Sequence, residues 1–195
     1  MSGHLNLDQE KMRLRMEMRS QRKIASDKLL DAPGRLAERF FELYQQDLQG
    51  VVVAGYWAVG SEMSLEPILN RLDEQGTVCA LPVVVGRGEL LVFRQWQQGQ
   101  ELASGPLGTF QPVDAAALVI PQLVLTPLLA FDKTGHRLGQ GGGFYDRTLA
   151  RLRHENDITV IGAAYSAQQV ECVPRGATDV QLDAVLTEKE ILRIG

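Results

Sequence analysis

The stretch "RLGQGGGFYDR", residues 137–147, concentrates residue types that bind phosphate. It holds four glycines, one glutamine, two arginines and one aspartate. Glycine costs backbone entropy, so a chain that places four of them in five positions needs them for the conformation of that loop. A loop between a strand and a helix offers unpaired N–H groups and a helix N-terminus, and both favour an anion. The glycines alone are also compatible with a plain tight turn.

The glycine spacing differs from that of the common nucleotide-binding motifs. Phe144 stands where a dinucleotide fingerprint needs its last glycine, and the chain contains no G-x-x-x-x-G-K-[ST] string. The neighbouring side chains nevertheless exceed what a turn requires; they are Asp132, Arg137, Tyr145, Asp146 and Arg147. The segment therefore predicts a phosphate loop of another kind.

Asp146 is a candidate magnesium ligand. Mg²⁺ prefers oxygen ligands and is commonly held by one or two carboxylates together with substrate phosphates. An aspartate in the first turn of a helix can instead cap that helix or interact favourably with its dipole. The position of Asp146 in the sequence leaves both roles open.

Helical patterns lie on either side of this loop and must help to position it. Residues 8–24 contain few helix breakers and many straight-chain side chains, which predicts a helix. Ser26 is a candidate N-cap of a second helix that continues through "GRLAERFFELYQQDL", where apolar residues recur at helical spacing. Two further helices are predicted, one over residues 65–76 that ends at Gly76 and one from about Tyr145 to His154.

Apolar, β-branched runs mark the strands, and the Gly/Pro-rich "ASGPLGTFQP" (103–112) indicates a loop between two of them. The predicted strands are "VVVAGYW" (51–57), "TVCALPVVV" (77–85), "LLVFRQW" (90–96), "ALVIPQLVLTPLLAF" (117–131), "TVIGAAY" (159–165) and, last, "LDAVLTE" (182–188). The second and third of these form a hairpin around "GRGE". Strands separated by helices predict an α/β fold, with an open, mainly parallel sheet covered by helices on both faces.

The composition is that of an ordinary globular chain. Its 195 residues are 45% hydrophobic and 23% charged, which predicts a single domain over residues 1–195. A net charge of −4 argues against a surface built for nucleic acid. Cys79 and Cys172 lack partners at metal-ligand spacing, so we expect no structural zinc and a reducing cytoplasm. The start has no signal-peptide core, and Pro121, Gln122 and Pro127 interrupt the longest apolar stretch, so no membrane span is expected.

The stretch "FDKTGHRLGQGGGFYDR" resembles the signature F-D-x-x-G-x-R-L-G-x-G-x-G-[YF]-Y-D of the 5-formyltetrahydrofolate cyclo-ligase family, also called 5,10-methenyltetrahydrofolate synthetases. Three weaker similarities elsewhere in the chain occur in the same order as in the family, so the resemblance covers most of the chain. They are a basic N-terminal helix with Lys11, Arg15 and Arg19, a corner with Glu62, and the ending "TDVQLDAVLTE".

The resemblance implies an open α/β sheet and an ATP- and Mg²⁺-dependent ligase. Such enzymes convert 5-formyltetrahydrofolate into 5,10-methenyltetrahydrofolate and release ADP and phosphate. The formyl oxygen is thought to be phosphorylated first, after which the folate's own N10 attacks the activated carbon. This chemistry asks for positioning and charge stabilisation rather than a protein nucleophile, and no catalytic nucleophile is assigned.

The resemblance also implies roles for individual residues. Lys11 and Arg15, with help from Arg19, would reach ATP from the helix at 8–24, which would pack on or close over the ATP site. The remaining ATP-binding residues would be Arg137, Gly139, Gln140, Gly141, Gly142, Gly143, Phe144, Tyr145 and Asp146. Folate would contact Glu62, the loop from Gln140 to Phe144, and the rings of Tyr56 and Trp57, although buried core aromatics are an alternative for those two. Asp146 and Asp179 would hold Mg²⁺.

The chain departs from the family at two positions of the glycine loop. Some members carry a basic residue at the positions of Gln140 and Gly142, so in this chain the phosphate charge would be bound by backbone N–H groups, Arg137, Arg147 and the N-terminal helix.

Two rival functions remain open. The first is a non-catalytic, nucleotide-binding regulatory protein, although Glu62, Asp146 and Asp179 together exceed the needs of such a protein. A binder of RNA or of a membrane surface through the basic helix is the second, and the acidic net charge argues against it. We expect a monomeric cytoplasmic protein with no nucleic-acid or membrane partner.

Overall fold

The computed structural model describes residues 6–44, 48 and 50–195. The helices are α1 (Leu7–Lys28), α2 (Ala32–Leu43), α3 (Glu66–Glu74) and α4 (Phe144–Glu155). The strands are β1 (Val52–Ala54), β2 (Val78–Val84), β3 (Leu91–Trp96), β4 (Leu102–Ser104), β5 (Phe110–Pro112), β6 (Leu118–Val119), β7 (Leu123–Pro127), β8 (Ala130–Phe131), β9 (Arg137–Leu138), β10 (Thr159–Ala163), β11 (Ala184–Leu186) and β12 (Ile191–Arg193). Among the residues that the structure describes, no helix is both long and apolar enough to cross a membrane.

One eight-stranded sheet organises the chain, in the order β12-β11-β10-β7-β1-β2-β3-β6. The five central strands β11, β10, β7, β1 and β2 are parallel, and the strands at both edges are antiparallel to their neighbours. The predicted mainly parallel sheet and its β2–β3 hairpin are therefore confirmed. β2 lies on one side of β1 and β7 on the other, and open α/β sheets bind ligands at such a reversal of strand order, beside the carboxyl ends of the strands.

Alternation along the strands buries both faces of the sheet. Val53 packs with α2 and α3 in one apolar cluster, whereas the next residue, Ala54, packs with Leu149 of α4 in a second cluster on the opposite face. Strands buried on both sides read as continuous apolar runs, which is the pattern that marked them in the sequence. Helices on both faces are thus confirmed.

The first helix is longer than predicted, and the expected N-cap at Ser26 is wrong. α1 begins with a capping box, in which Asn6 and Gln9 exchange side-chain hydrogen bonds with each other's backbone N–H groups, and it runs through Ser26 to Lys28. Burial of Ala25 against the core favours this continuation. α2 starts only at Ala32, with Pro33 in its first turn, where a missing N–H costs nothing. α2 ends at Leu43, and the predicted continuation over 45–47 lies outside the described residues.

Short strands account for most of the other differences. The segment 103–112, predicted as a loop, contains parts of the antiparallel pair β4–β5 around a 3₁₀ turn. The single strand predicted over 117–131 is divided into β6, β7 and β8, and β9 and β12 were not predicted at all. Strands of two or three residues are stabilised by their partners rather than by their own propensity, so the local pattern carries little signal for them.

Asp132 fixes the hairpin that leads from β8 through β9 into the glycine stretch. It is buried, and its Oδ1 accepts hydrogen bonds from the Thr134 amide (2.9 Å), the Thr134 hydroxyl (2.6 Å) and the His136 amide (3.2 Å). Its Oδ2 accepts one from the Val173 amide at 2.9 Å. Burial acts to raise the pKa of Asp132, but the hydrogen bonds, from Thr134 foremost, outweigh it and lower the pKa. The ionised carboxylate therefore ties two distant segments together beneath the loop.

We expect Asp132→Asn to lower the free energy of unfolding by about 2–3 kcal/mol at neutral pH, because an amide has one acceptor oxygen and turns a donor toward the remaining N–H groups. The pKa of Asp132 is lower in the folded protein than in the unfolded chain. Its carboxylate therefore stabilises the fold above the unfolded-state pKa of ~4, and this stabilisation is lost as the pH falls through the folded-state pKa. Urea unfolding from neutral pH to about pH 3 should show the difference between wild type and variant narrowing in acid.

The exposed Asp157 provides the control, and Asp157→Asn should change the unfolding free energy by less than about 0.5 kcal/mol. An Asp132→Asn variant as stable as the wild type at neutral pH would contradict this structural role.

Candidate active site

A cavity of about 720 Å³ lies at the carboxyl ends of the central parallel strands. Tyr56 and Trp57, which follow β1, and Leu128, which follows β7, contribute to its wall. Most residues assigned to ATP, folate or metal from the sequence line this one cavity, with Arg19 and Arg147 as the exceptions: Lys11, Arg15, Tyr56, Trp57, Glu62, Arg137, the loop Gly139–Gly143, Phe144, Tyr145, Asp146 and Asp179. Residues separated by up to 168 positions in the chain are thus brought together.

Basic side chains of α1 cross from the helix to the opposite wall of the cavity. Lys11 Nζ lies 2.5 Å from Asp179 Oδ2, and Arg15 Nε donates to the Gly139 carbonyl at 2.9 Å. Arg19, one turn further on, donates to Gln140 Oε1 at 3.0 Å but does not line the cavity. The helix therefore lies against the glycine stretch.

The glycine loop has the conformation that its residues suggested. Gly141 adopts φ +106° and Gly143 adopts φ +65°, values that other residues rarely adopt. A side chain at position 141 would also approach the Arg15 guanidinium to 3.3 Å. Gly143 is the N-cap of α4 and supplies no capping side chain, so the first amides of this twelve-residue helix lack a side-chain acceptor. An anion in the cavity would meet that need.

Asp146 binds a buried arginine rather than capping its own helix. Its Oδ1 accepts from Arg137 Nη2 at 2.8 Å and from the Val180 amide at 3.1 Å. Arg137 is buried; burial acts to lower the pKa of its guanidinium, and the nearby Asp146 opposes that shift. Asp146 therefore makes no capping hydrogen bond, although its place in the first turn of α4 retains the favourable interaction with the helix dipole. Its Oδ2 has no donor among the described residues.

Asp179 resembles Asp146 in having one oxygen engaged. Oδ2 accepts from Lys11 Nζ and from the Gly176 amide (2.7 Å), whereas Oδ1 has no donor in the described part of the chain. Burial acts to raise the pKa of Asp179, but the hydrogen bonds from Lys11 and Gly176 outweigh it and lower the pKa. Two carboxylates, each with one oxygen that has no donor among the described residues, are a suitable donor set for Mg²⁺ that also binds phosphates. The described residues contain no cluster of three or more potential metal ligands.

Glu62 also lines the cavity and is held from two sides. Its Oε2 accepts from the Val59 amide at 3.0 Å, and its Oε1 lies 3.5 Å from Arg22 Nη1. Arg22 was not assigned a role from the sequence, although Lys11, Arg15, Met18 and Arg22 follow the i, i+4, i+7, i+11 spacing of one helix face. That spacing, rather than the step from Arg15 to Arg19, is the signal that identifies the inward face.

Apolar side chains complete the cavity wall and were also missed. Phe110 comes from the start of β5, in the segment predicted to be a loop, and Pro82, Val84 and Leu91 come from the β2–β3 hairpin. Trp57 lines the same cavity and lies 5.9 Å from the ring of Trp96, in a tilted arrangement. The cavity thus has a charged end near the glycine loop and walls of apolar and aromatic groups.

The fold and the site together define an α/β protein that binds ligands at the carboxyl edge of its sheet through a glycine-rich loop and a pair of carboxylates. More specifically, the chain belongs to the 5-formyltetrahydrofolate cyclo-ligase family, whose profile matches residues 7–188. The resemblance noted in the sequence is thereby confirmed.

Curated relatives and a solved structure agree with this assignment. A 5-formyltetrahydrofolate cyclo-ligase of Escherichia coli is 31% identical over 180 residues, which cover 89% of this chain and 98% of the relative. One of Haemophilus influenzae is 35% identical over 139 residues, 69% of this chain and 74% of the relative. The NMR structure of 5,10-methenyltetrahydrofolate synthetase from Aquifex aeolicus superposes with a TM-score of 0.78 at 27% identity, covering 94% of this chain and 92% of that one. The family is one of ligases, so the predicted enzyme class is confirmed.

Two tyrosines of the cavity differ in how their hydroxyl groups are satisfied. Tyr56 donates to the Met63 carbonyl at 2.7 Å, whereas the enclosed Tyr145 hydroxyl has no hydrogen-bond partner among the described residues. Burial raises the pKa of both phenols, so both stay protonated. Tyr56→Phe should therefore lower the free energy of unfolding by about 1 kcal/mol, and Tyr145→Phe should leave it unchanged or raise it slightly.

Chemical unfolding of the two variants in the absence of ligands checks this difference. Each variant serves as the control for the other, because both remove one phenolic oxygen from the same cavity. A larger loss in Tyr145→Phe than in Tyr56→Phe would show that the Tyr145 hydroxyl is satisfied in the free protein.

Proposed function

We propose that this protein catalyses the ATP- and Mg²⁺-dependent cyclisation of 5-formyltetrahydrofolate to 5,10-methenyltetrahydrofolate, with release of ADP and phosphate. The observation that carries the proposal is the convergence of the glycine loop, Asp146, Asp179 and Glu62 on a single cavity of about 720 Å³. That volume lies in the range of small-molecule sites. Membership of the family supports the same reaction.

The charged end of the cavity is the proposed ATP site. Backbone N–H groups at the start of α4 would bind phosphate oxygens, because they lack a capping side chain. Arg15 and Lys11 would add charge-assisted hydrogen bonds from α1. Lys11 is paired with Asp179, so phosphate binding would give Lys11 a second anionic partner and could release the Asp179 oxygen that it contacts.

The end near Glu62 is the proposed folate site. The carboxylate is oriented by Val59 and Arg22, and it would accept hydrogen bonds from the amino and ring N–H groups of the pterin. Trp57 and Phe110 offer ring faces and edges to the flat parts of the ligand. Tyr56 contributes mainly to the wall, because its hydroxyl is already bonded to Met63.

The reaction itself would proceed without a protein nucleophile. The formyl oxygen attacks the γ-phosphorus of ATP and ADP leaves, which gives an N5-bound iminium carbon carrying phosphate. N10 then bonds to that carbon and loses its proton, and the carbon–oxygen bond breaks to release phosphate. The protein would hold the formyl group close to the γ-phosphate and stabilise negative charge on the transferring oxygens.

Asp146 and Asp179 would hold the magnesium ion through their free oxygens. The bound ion would supply charge neutralisation at the phosphates, which is the usual part of Mg²⁺ in phosphoryl transfer. Arg137, bonded to Asp146, keeps that carboxylate in one orientation. We also propose that the protein is a single-domain, cytoplasmic monomer over residues 1–195 without nucleic-acid or membrane partners.

The near-ultraviolet absorbance of the methenyl product tests this function directly. Mixing the protein with ATP, Mg²⁺ and 5-formyltetrahydrofolate should produce that absorbance, with one ADP formed for each product molecule. Binding of ATP without product at ample protein concentration would instead favour the non-catalytic, nucleotide-binding alternative.

Asp146→Asn should lower turnover by two orders of magnitude or more and raise the Mg²⁺ concentration needed for half-maximal rate, because it removes one charge from the metal site. Asp179→Asn should behave alike if the two carboxylates share the ion. Initial rates over a range of Mg²⁺ concentrations measure both effects.

Asp157→Asn is the matched control for charge and should match the wild type, since Asp157 is exposed and outside the cavity. Melting curves separate the metal role from the ion pair with Arg137, because loss of the pair lowers stability in the absence of Mg²⁺ as well. If Asp146→Asn turns over normally at low Mg²⁺, Asp146 is not a metal ligand and its role is limited to the ion pair with Arg137.

A further inference from the structure

Arg22 is a buried cation with an unused donor in the cavity wall. The residue is 6% exposed, and its Nε donates to Ser61 Oγ at 3.2 Å. Its Nη1 has only long contacts, at 3.5 Å to Glu62 Oε1 and 3.5 Å to the Leu128 carbonyl, and its Nη2 has no acceptor among the described residues. A guanidinium carries five N–H donors, and Arg22 lines the cavity with some of these donors lacking an acceptor among the described residues. The Arg22 side chain therefore has capacity for an additional acceptor.

Glu62 places acceptor oxygens directly beside that donor. Its Oε2 is held by the Val59 amide and its Oε1 by the contact with Arg22, and each carboxylate oxygen has a further lone pair. The side chain is 12% exposed and lines the same cavity as Arg22. A ligand edge at this place meets two acceptor oxygens and, next to them, a positively charged donor.

We infer that Arg22 is a specificity-determining residue that recognises the ring oxygen at position 4 of the pteridine, next to the N–H groups that Glu62 accepts. This inference rests on the proposed folate site. A 4-oxo pteridine presents two donors, the 2-amino group and N3–H, followed by one acceptor, O4. The pair of Glu62 and Arg22 presents the complementary order, two acceptors followed by a donor.

A 4-amino pteridine presents a different order at the same edge. Its N3 carries a lone pair that would face the Glu62 carboxylate, and its 4-amino group would turn donors toward the donors of Arg22. Sites that hydrogen-bond a ligand group discriminate strongly against an analogue that cannot make the bond, because the buried groups of the site are then left unpaired. Arg22 therefore selects the 4-oxo over the 4-amino ring.

The charge of Arg22 serves the same discrimination. Its guanidinium is the cation in contact with Glu62 among the described residues, so it places a positive charge beside the carboxylate that would accept both pterin N–H groups. Lysine in its place would keep the charge but lose the planar, forked donor geometry. Charge and geometry can thus be separated by substitution.

Titration calorimetry without ATP tests the inference, with 5-formyltetrahydrofolate and its 4-amino-4-deoxy analogue as ligands. The wild type should bind the 4-oxo compound at least about tenfold more tightly than the 4-amino compound. Arg22→Gln should reduce this preference by about tenfold, chiefly by weakening the 4-oxo ligand. Arg22→Lys should reduce it at least about threefold while melting close to the wild type, because the charge beside Glu62 is retained.

Arg13→Gln is the matched control, since Arg13 is an exposed residue of the same helix and does not line the cavity; its preference should equal that of the wild type. An unchanged preference in the Arg22 variants, or equal weakening of both ligands, overturns the role of Arg22 while leaving the proposed function intact. A wild type without preference for the 4-oxo ring overturns it whether or not any variant folds. A wild type that binds neither compound and forms no methenyl product overturns the proposed function itself.

Discussion

The buried guanidinium of Arg137 joins the three segments that form the charged end of the cavity. From β9 it donates through Nη1 to the Val180 carbonyl and through Nη2 to Asp146 of α4. A buried cation is tolerated only when it is paired and hydrogen-bonded, so the loop, the helix and the segment around residue 180 must keep one arrangement. The glycine loop that connects β9 to α4 inherits its shape from these fixed ends. Asp132 reinforces that arrangement from below, because it anchors the β8–β9 hairpin to Val173.

The N-terminal helix makes the second group of contacts on which the site depends. Its inward face binds Asp179, the Gly139 carbonyl and Glu62 through Lys11, Arg15 and Arg22. The partners of Lys11 and Arg15, Asp179 and the Gly139 carbonyl, belong to the groups around the proposed phosphate site. A polyphosphate would therefore compete with existing contacts instead of meeting bare cations, which lowers the desolvation cost of keeping two positive charges in a partly enclosed space. In the proposed function, this exchange of partners would couple the helix to ligand binding.

The difference between the two ends of the cavity suits a reaction between two unlike molecules. The end at the glycine loop offers backbone donors, cations and two carboxylates, whereas Glu62 is paired with Arg22, and aromatic and aliphatic side chains also line the cavity. The α/β sheet achieves this because residues that follow neighbouring parallel strands meet at one edge. A small number of short segments thus forms both the proposed ATP site and the proposed folate site. The proposed phosphoryl transfer requires that the two ligands lie end to end in the cavity.

Local sequence determined the helices, the central strands and the glycine loop, because apolar spacing, helix propensity and glycine content act over a few neighbouring residues. The signature around residues 131–147 also determined the family, and with it most residues of the cavity. Tertiary structure decided what depends on distant partners: α1 runs past Ser26 because Ala25 packs on the core, and β4, β5 and β12 exist because other strands pair with them. It also decided that Asp146 binds Arg137 and Val180 rather than its own helix, and that Arg22 faces Glu62. Both are matches between charged groups on separate elements, and such matches form only once the sheet has brought those elements together.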